Sequence, residues 1–311
     1  MNTYKNALAS TAAGIAMLFS TTACAQQQQK PTPVASTEVA IEDAKPAGPA
    51  LWKVADEDTT IYLFGTVHLL PEGIDWYTPK VANALAASDK LVTEIHMEKG
   101  SEAAAGQYMM GEGSFTDGRK VRDLLNEEQK AAYEAALGKL GVPAPAFDGF
   151  EPWFVAMNMS IIPLLQKGYS PDAGVESALE EKAGDMARGE LETVAFQTSV
   201  FDGLPMNVQV NYMMEVATNI DDVVPMLDKM VDEWAEGDAD ALAELMNEGL
   251  SDPVLAEALL YNRNANWTDW IDNRMDTPGT VFIAVGAGHL AGEKSVQDML
   301  EDRDIEVTRV Q

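Results

Sequence analysis

The sequence predicts an α/β fold, with α+β as the alternative, built as a central mixed sheet with flanking helices and a helical insertion. Three observations predict it. Four apolar residues closed by glycine occur twice, at 61–65 and 282–286, and each run reads as a buried strand entering a tight turn. Residues 59–95 read as strand, helix, strand, the order of a βαβ unit whose crossover is right-handed. Residues 196–277 read as helical throughout, which places them between two halves of one sheet.

The elements follow in order. The folded part opens at Leu51 with strands at 51–54 and 59–64, and acidic residues at 56–58 suit the hairpin turn that joins them. Pro71-Glu72-Gly73 marks a loop. Thr78 caps a helix with Pro79 at its first position, and a strand over 90–95 completes the βαβ unit. On this pattern His68 and Glu94 leave adjacent strands at the same edge. Residues 100–118 are small, Gly- and Met-containing and aperiodic, which predicts a long loop in preference to a lid. Helices are expected at 126–140, 151–167 and 172–187, and a short strand at 189–194. The helical stretch 196–277 breaks near Pro205, Pro225, Gly237 and Pro253; its methionines suit an adaptable core. A strand at 280–285 returns to the sheet, followed by a helix at 293–301 and an edge strand at 305–310.

Composition sets the outer bounds. Of 311 residues 46% are hydrophobic, enough for a sizeable core. The formal net charge is −29, from 50 acidic and 21 basic residues, which argues against binding nucleic acid or anionic lipid. Residues 1–25 read as a signal peptide: Lys5 gives the positive start, 7–19 the short apolar stretch, and Ala23-Cys24-Ala25 the cleavage site before Gln26. The expected location is periplasmic or secreted. The alternative is a membrane-anchored lipoprotein through Cys24, although Thr21 stands where such sites usually have Leu. Cys24 is the only cysteine, so no internal disulfide forms. Residues 26–50, rich in Gln, Pro, Ala, Thr and Glu, predict a disordered linker, leaving 51–311 as one domain with the insertion at 196–277.

The chain has three histidines, His68, His96 and His289. His68 ends Gly65-Thr66-Val67-His68 and His289 ends Gly286-Ala287-Gly288-His289, each three residues after the glycine that closes a strand. In open α/β sheets ligands bind at that mouth. His96 and Glu94 close a third strand. Two imidazoles and a carboxylate are a catalytic metal set: zinc takes two His and a Glu plus water, and the same donors suit Mn(II) or Fe(II). His68, Glu94 and His289 are therefore the candidate ligands of a divalent metal. Other chemistries lack their signals. The third glycine of a dinucleotide loop falls on Ala291, no Gly-x-Ser-x-Gly elbow occurs, and the processed chain has no thiol for catalysis.

These motifs, with Glu151-Pro152-Trp153, Gly174-Val175-Glu176, Leu191-Glu192-Thr193 to Gln197, and Arg263-Asn264, resemble the TraB/GumN family, which includes the Tiki metalloproteases. The resemblance runs from Leu51 to the C-terminus and implies metal-dependent peptide cleavage with Mn or Co preferred. Glu176 stands where relatives often have Asp, and His96 is outside the family pattern. If Glu94 is a ligand, the base falls to Glu176, Glu192 or His96; if Glu94 is the base, the metal keeps two named ligands. Arg263 suits an oxyanion or a substrate carboxylate, or forms a structural ion pair with Glu192. The function expected is an exported metal-dependent hydrolase with a peptide or small-molecule substrate. The alternative is a non-catalytic ligand-binding or accessory protein, in polymer export or haem binding.

Overall fold

The computed structural model describes residues 48–249 and 252–311. The expected signal peptide, Cys24 and nearly all of the expected linker lie outside the described residues. In chain order the strands are β1 (Leu51–Ala55), β2 (Thr59–Thr66), β3 (Lys90–Thr93), β4 (Ala187–Glu190), β5 (Gly279–Gly286) and β6 (Val307–Arg309). The helices are α1 (Pro79–Ala86), α2 (Glu102–Glu112), α3 (Glu127–Leu140), α4 (Pro152–Lys167), α5 (Val175–Ala183), α6 (Val194–Asp202), α7 (Met206–Thr218), α8 (Val223–Glu236), α9 (Ala239–Gly249), α10 (Pro253–Ala256), α11 (Asn262–Met275) and α12 (Val296–Glu301). Local chemistry sets several boundaries. Asp56 Oδ1 accepts from the Thr59 amide at 2.7 Å in the β1–β2 turn. Thr78 caps α1 ahead of Pro79, and Asn126 with Gln129 forms a reciprocal capping box on α3.

The strands form one mixed sheet in the order β4-β3-β5-β2-β1-β6. The pairs β4–β3, β3–β5 and β5–β2 are parallel, while β1 pairs antiparallel with β2 and β6. The chain thus has the α/β architecture. β2 and β3 are not the neighbours that the strand–helix–strand pattern predicts, because β5 enters between them. Its apolar run 281–285 is buried on both faces, and only an interior strand meets that requirement. Side chains alternate across the sheet. Ile61, Leu63, Val281, Ile283 and Val285 pack on one face with Trp267, Ile271, Val296 and Leu300 from α11 and α12. Phe64, Leu91, Phe282 and Ala284 pack on the other, beneath the larger layer of helices.

Two segments differ from expectation. Residues 100–118 contain α2 instead of a long loop. Ala103, Ala104 and Ala105 are strong helix formers, and Ala105, Gly106 and Met109 make a buried face, with α2 packing against α6. The strand expected at 189–194 sits earlier, at β4, because the Thr193 side chain accepts from the Phe196 amide and starts α6. Among the described residues no helix is long and apolar enough to cross a membrane.

The sheet decides where the two Gly-x-x-His motifs meet. β2 and β5 lie side by side with Gly65 opposite Val285 and Thr66 opposite Gly286. A Cβ on Gly65 would stand 3.0 Å from the Ala287 Cα, so the missing side chain lets the second motif cross the first. β3 pairs with the other side of β5, with Thr93 opposite Ala284. His68, Glu94 and Gly286 therefore leave three consecutive strands at one edge.

Candidate functional site

His68 is held from below by the start of α5. The Val175 amide donates to the Val67 carbonyl at 3.1 Å, which brings Glu176 Oε1 within 2.6 Å of His68 Nδ1. Thr66 Oγ1 donates to the same carboxylate oxygen. Burial alone would push the Glu176 carboxyl up, but His68 and the Thr66 hydroxyl hold it below the ordinary carboxylate value. The close approach depends on Gly174, where a Cβ would fall 2.2 Å from the His68 carbonyl oxygen. Gly174→Ala is thus expected to lower stability by about 1–3 kcal/mol, the usual range for overpacking, and to move Glu176 off His68. Urea denaturation checks the first effect; an unchanged midpoint would place the crowding elsewhere.

Glu94 follows β3 and is 6% exposed. Its Oε1 accepts from the Gly286 amide at 2.7 Å. Its Oε2 accepts from Gln197 Nε2 at 2.9 Å and Arg263 Nη2 at 2.6 Å. Arg263 is 3% exposed and uses all five of its donors. They go to Glu192 twice, at 2.8 Å each, to Glu94, to the Leu259 carbonyl at 3.1 Å, and to His289 Nε2 at 3.0 Å. The π-helical turn Glu257–Tyr261 comes immediately before α11 and offers the Leu259 carbonyl, a use of π-turns seen at functional sites. Burial works against the Arg263 charge, yet Glu94 and Glu192 outweigh it and raise its pKa. Burial raises the Glu192 carboxyl although Arg263 opposes it. Trp267 donates to Glu192 at 2.9 Å and closes the apolar side, its ring 4.2 Å from that of His289.

His289 lies in the tight turn Ala287–Leu290 after β5 and is fully buried. Asn264 Nδ2 donates to the Lys294 carbonyl at 2.8 Å, which leaves Asn264 Oδ1 as an acceptor, 2.6 Å from His289 Nδ1. The network thereby assigns the proton to Nδ1 and makes Nε2 the acceptor of the Arg263 bond. Burial first, then the charges of Arg263 and His68, hold the His289 pKa well below its ordinary 6.5. The sign for stability follows directly. Below pH 6.5 the unfolded chain takes up a proton that the folded one refuses, so stability is expected to fall as pH drops from there. Glu176, lowered from 4.5, adds loss of the same sign in the more acid range. Urea midpoints of wild type and His289→Gln from pH 7.5 to 5.5 test this, because the raised carboxyl of Glu192 acts with the opposite sign in both proteins; a wild-type loss on acidification no larger than the variant's would reverse the assignment.

A cavity of about 810 Å³ opens above these groups. His68, Glu94, Glu176 and Gln197 line it, and His96 stands in its wall with Nδ1 3.4 Å from Glu180. Arg263, Glu192 and His289 are not part of its lining. Their place is behind Glu94, where Arg263 and Glu192 form an ion pair. The predicted ligands do come together. A Cβ built on Gly286 would meet Glu94 Oε1 at 3.1 Å, His68 Nε2 at 3.5 Å and His289 Cδ2 at 3.6 Å. Among the described residues, however, no three His, Cys, Asp or Glu side chains stand arranged as a ligand set. The donors that fit a divalent ion at this cradle are two, His68 Nε2 and Glu94 Oε1.

Sequence reasoning named Glu176 only as a possible base, and it did not name Asn264 or Trp267 for any role. The signal for Glu176 was present in Gly174-Val175-Glu176, a glycine that lets a helix start close against a neighbour. Asn264 follows Arg263 directly, so the pair could have been read as one unit reaching one centre.

The fold and this centre define an α/β protein with a buried His–carboxylate–Arg cluster at the C-terminal ends of its parallel strands, beneath an acidic cavity. The profile of the TraB/PrgY/gumN family matches residues 50–309, and the chain belongs to that family. It is 21% identical over 255 residues to "Uncharacterized protein YbaP" of Escherichia coli (strain K12), covering 77% of this chain and 87% of that protein. The same figures hold for "Uncharacterized protein YbaP" of Shigella flexneri. No solved structure matches the chain significantly.

Proposed function

We propose that this protein is an exported hydrolase of peptide bonds that works with a divalent metal ion held by His68 and Glu94 at the cavity they line. One observation carries the reading: His68 Nε2 and Glu94 Oε1 approach the same point beside Gly286, and both residues line a substrate-sized cavity. A divalent ion there supplies Lewis acidity and a nucleophile at neutral pH. The chain's own residues do the rest. Glu176 fixes the His68 ring through Nδ1, as carboxylates behind ligating histidines do. The Gly286 amide and Gln197 fix Glu94. Apolar strands set all of these in place before substrate arrives. Mn or Co as the preferred ion, and peptides as substrate, rest on the resemblance to the Tiki proteases; export rests on residues 1–25.

Two measurements test the reading. Hydrolysis of a peptide library is expected with Mn(II) or Co(II) and not after chelation. Calorimetric titration is expected to show His68→Ala weaker than wild type by at least ~10-fold, with wild-type affinity falling at low pH because protons compete for the imidazole. Equal affinity in wild type, His68→Ala and Glu94→Gln would end the metal mechanism. Binding without any hydrolysis would favour a ligand-binding or accessory role on the same centre.

A further inference from the structure

We infer that the two Gly-x-x-His motifs do different work, and that His289 is a positioning residue that locks Arg263 behind Glu94 instead of ligating the ion. The inference rests on the ion site proposed above, and three observations carry it. First, the cradle over Gly286 meets the two histidines differently: His68 presents its Nε2, whereas the nearest His289 atom is Cδ2. Second, both His289 nitrogens are engaged. Nδ1 is 2.6 Å from Asn264 Oδ1, whose amide is oriented by the Lys294 carbonyl, and Nε2 is 3.0 Å from Arg263 Nη1. Third, one guanidinium engages both groups, with Arg263 Nη1 at His289 Nε2 and Nη2 donating to Glu94 Oε2 at 2.6 Å.

For His289 to ligate, Arg263 Nη1 would have to surrender that acceptor. The guanidinium would then face a dication with one donor unsatisfied in a buried site, and both changes are unfavourable. As observed, His289 completes the five acceptors around Arg263. Arg263 in turn holds one oxygen of Glu94 and leaves the other for the Gly286 side. The second motif thus acts on the ion site through Arg263 and Glu94, without touching the ion.

The presence of only three histidines makes a direct test practical. The ¹⁵N spectra of the imidazoles are recorded on purified protein without metal and with Zn(II), using His68→Gln, His96→Gln and His289→Gln to assign each ring. Metal-free protein is expected to show His289 as the Nδ1–H tautomer. Zinc is expected to shift a His68 nitrogen strongly and to leave the His289 pattern in place. Zinc affinity is expected to drop several-fold in His289→Ala and to recover in His289→Gln, whose amide oxygen can still accept from Arg263. A zinc-shifted His289 Nε2, or an Nε2–H tautomer in metal-free protein, overturns the inference. If no zinc binds, the metal reading fails by itself, and the metal-free tautomer still decides the His289–Arg263 arrangement.

Discussion

Replacing Arg263 with methionine is expected to destabilise the fold by about 3–5 kcal/mol, the cost of leaving a buried carboxylate without its partner. The side chain is 3% exposed and holds Glu192 through two bonds and Glu94 through one. Methionine fills comparable volume, so packing loss is small and the effect isolates charge. At ~2–4 °C per kcal/mol for a domain of this size, the melting temperature should fall by roughly 10 °C. Arg263→Lys keeps the charge but cannot span five acceptors, so it should fall between wild type and methionine. Adding Glu192→Gln to Arg263→Met removes one of the two stranded carboxylates and should recover part of the loss. That gives a double-mutant cycle with a coupling of the same sign. A loss below ~1 kcal/mol in Arg263→Met would mean that the network is hydrated and not the buried centre described here.

Parts of this arrangement were legible in the sequence for identifiable reasons. The strands were readable because an apolar run closed by glycine has few other folded solutions, and Thr78 with Pro79 announced a helix start by backbone chemistry alone. Strand order was not readable. β5 separates β2 from β3 because its 281–285 run needs cover on both faces, and no local pattern says which strands will supply that cover. α2 was missed because Gly106 and Gly111 read as breakers, while the burial of Gly106 against a neighbour comes only from tertiary packing. The site shows the same division. The repeated Gly-x-x-His motif put both histidines at one sheet edge but could not show that their rings would turn differently. After His68 the chain runs to Leu70, which bridges to Ser170, and the backbone of His68 lies against Gly174. After Gly286 the chain coils into the turn Ala287–Leu290, and His289 points back toward α11. Identical motifs acquired different neighbours from segments far away in sequence.

Gly286→Ala separates the ion site from the fold. Gly286 has φ −48° and ψ 131°, a conformation that alanine adopts without strain, and restricting the unfolded chain contributes ~0.4–1 kcal/mol in favour of the variant. Against this, the new methyl group would stand 3.1 Å from Glu94 Oε1 and 3.5 Å from His68 Nε2. The carboxylate must give way by a few tenths of an ångström while the Gly286 amide still holds it at 2.7 Å. These stability effects oppose each other, so net stability is expected to stay within ~1 kcal/mol of wild type. Metal affinity has no such compensation, because the methyl group occupies the point that both donors face. A loss of ~10–100-fold or more is expected, at least that of a displaced outer-shell partner, and hydrolysis should fall with it. Calorimetric titration of Mn(II), Co(II) and Zn(II), run beside urea denaturation of the same samples, measures both quantities. Wild-type affinity in a stably folded Gly286→Ala protein would place the ion away from this cradle and remove the reason for grouping His68 with Glu94.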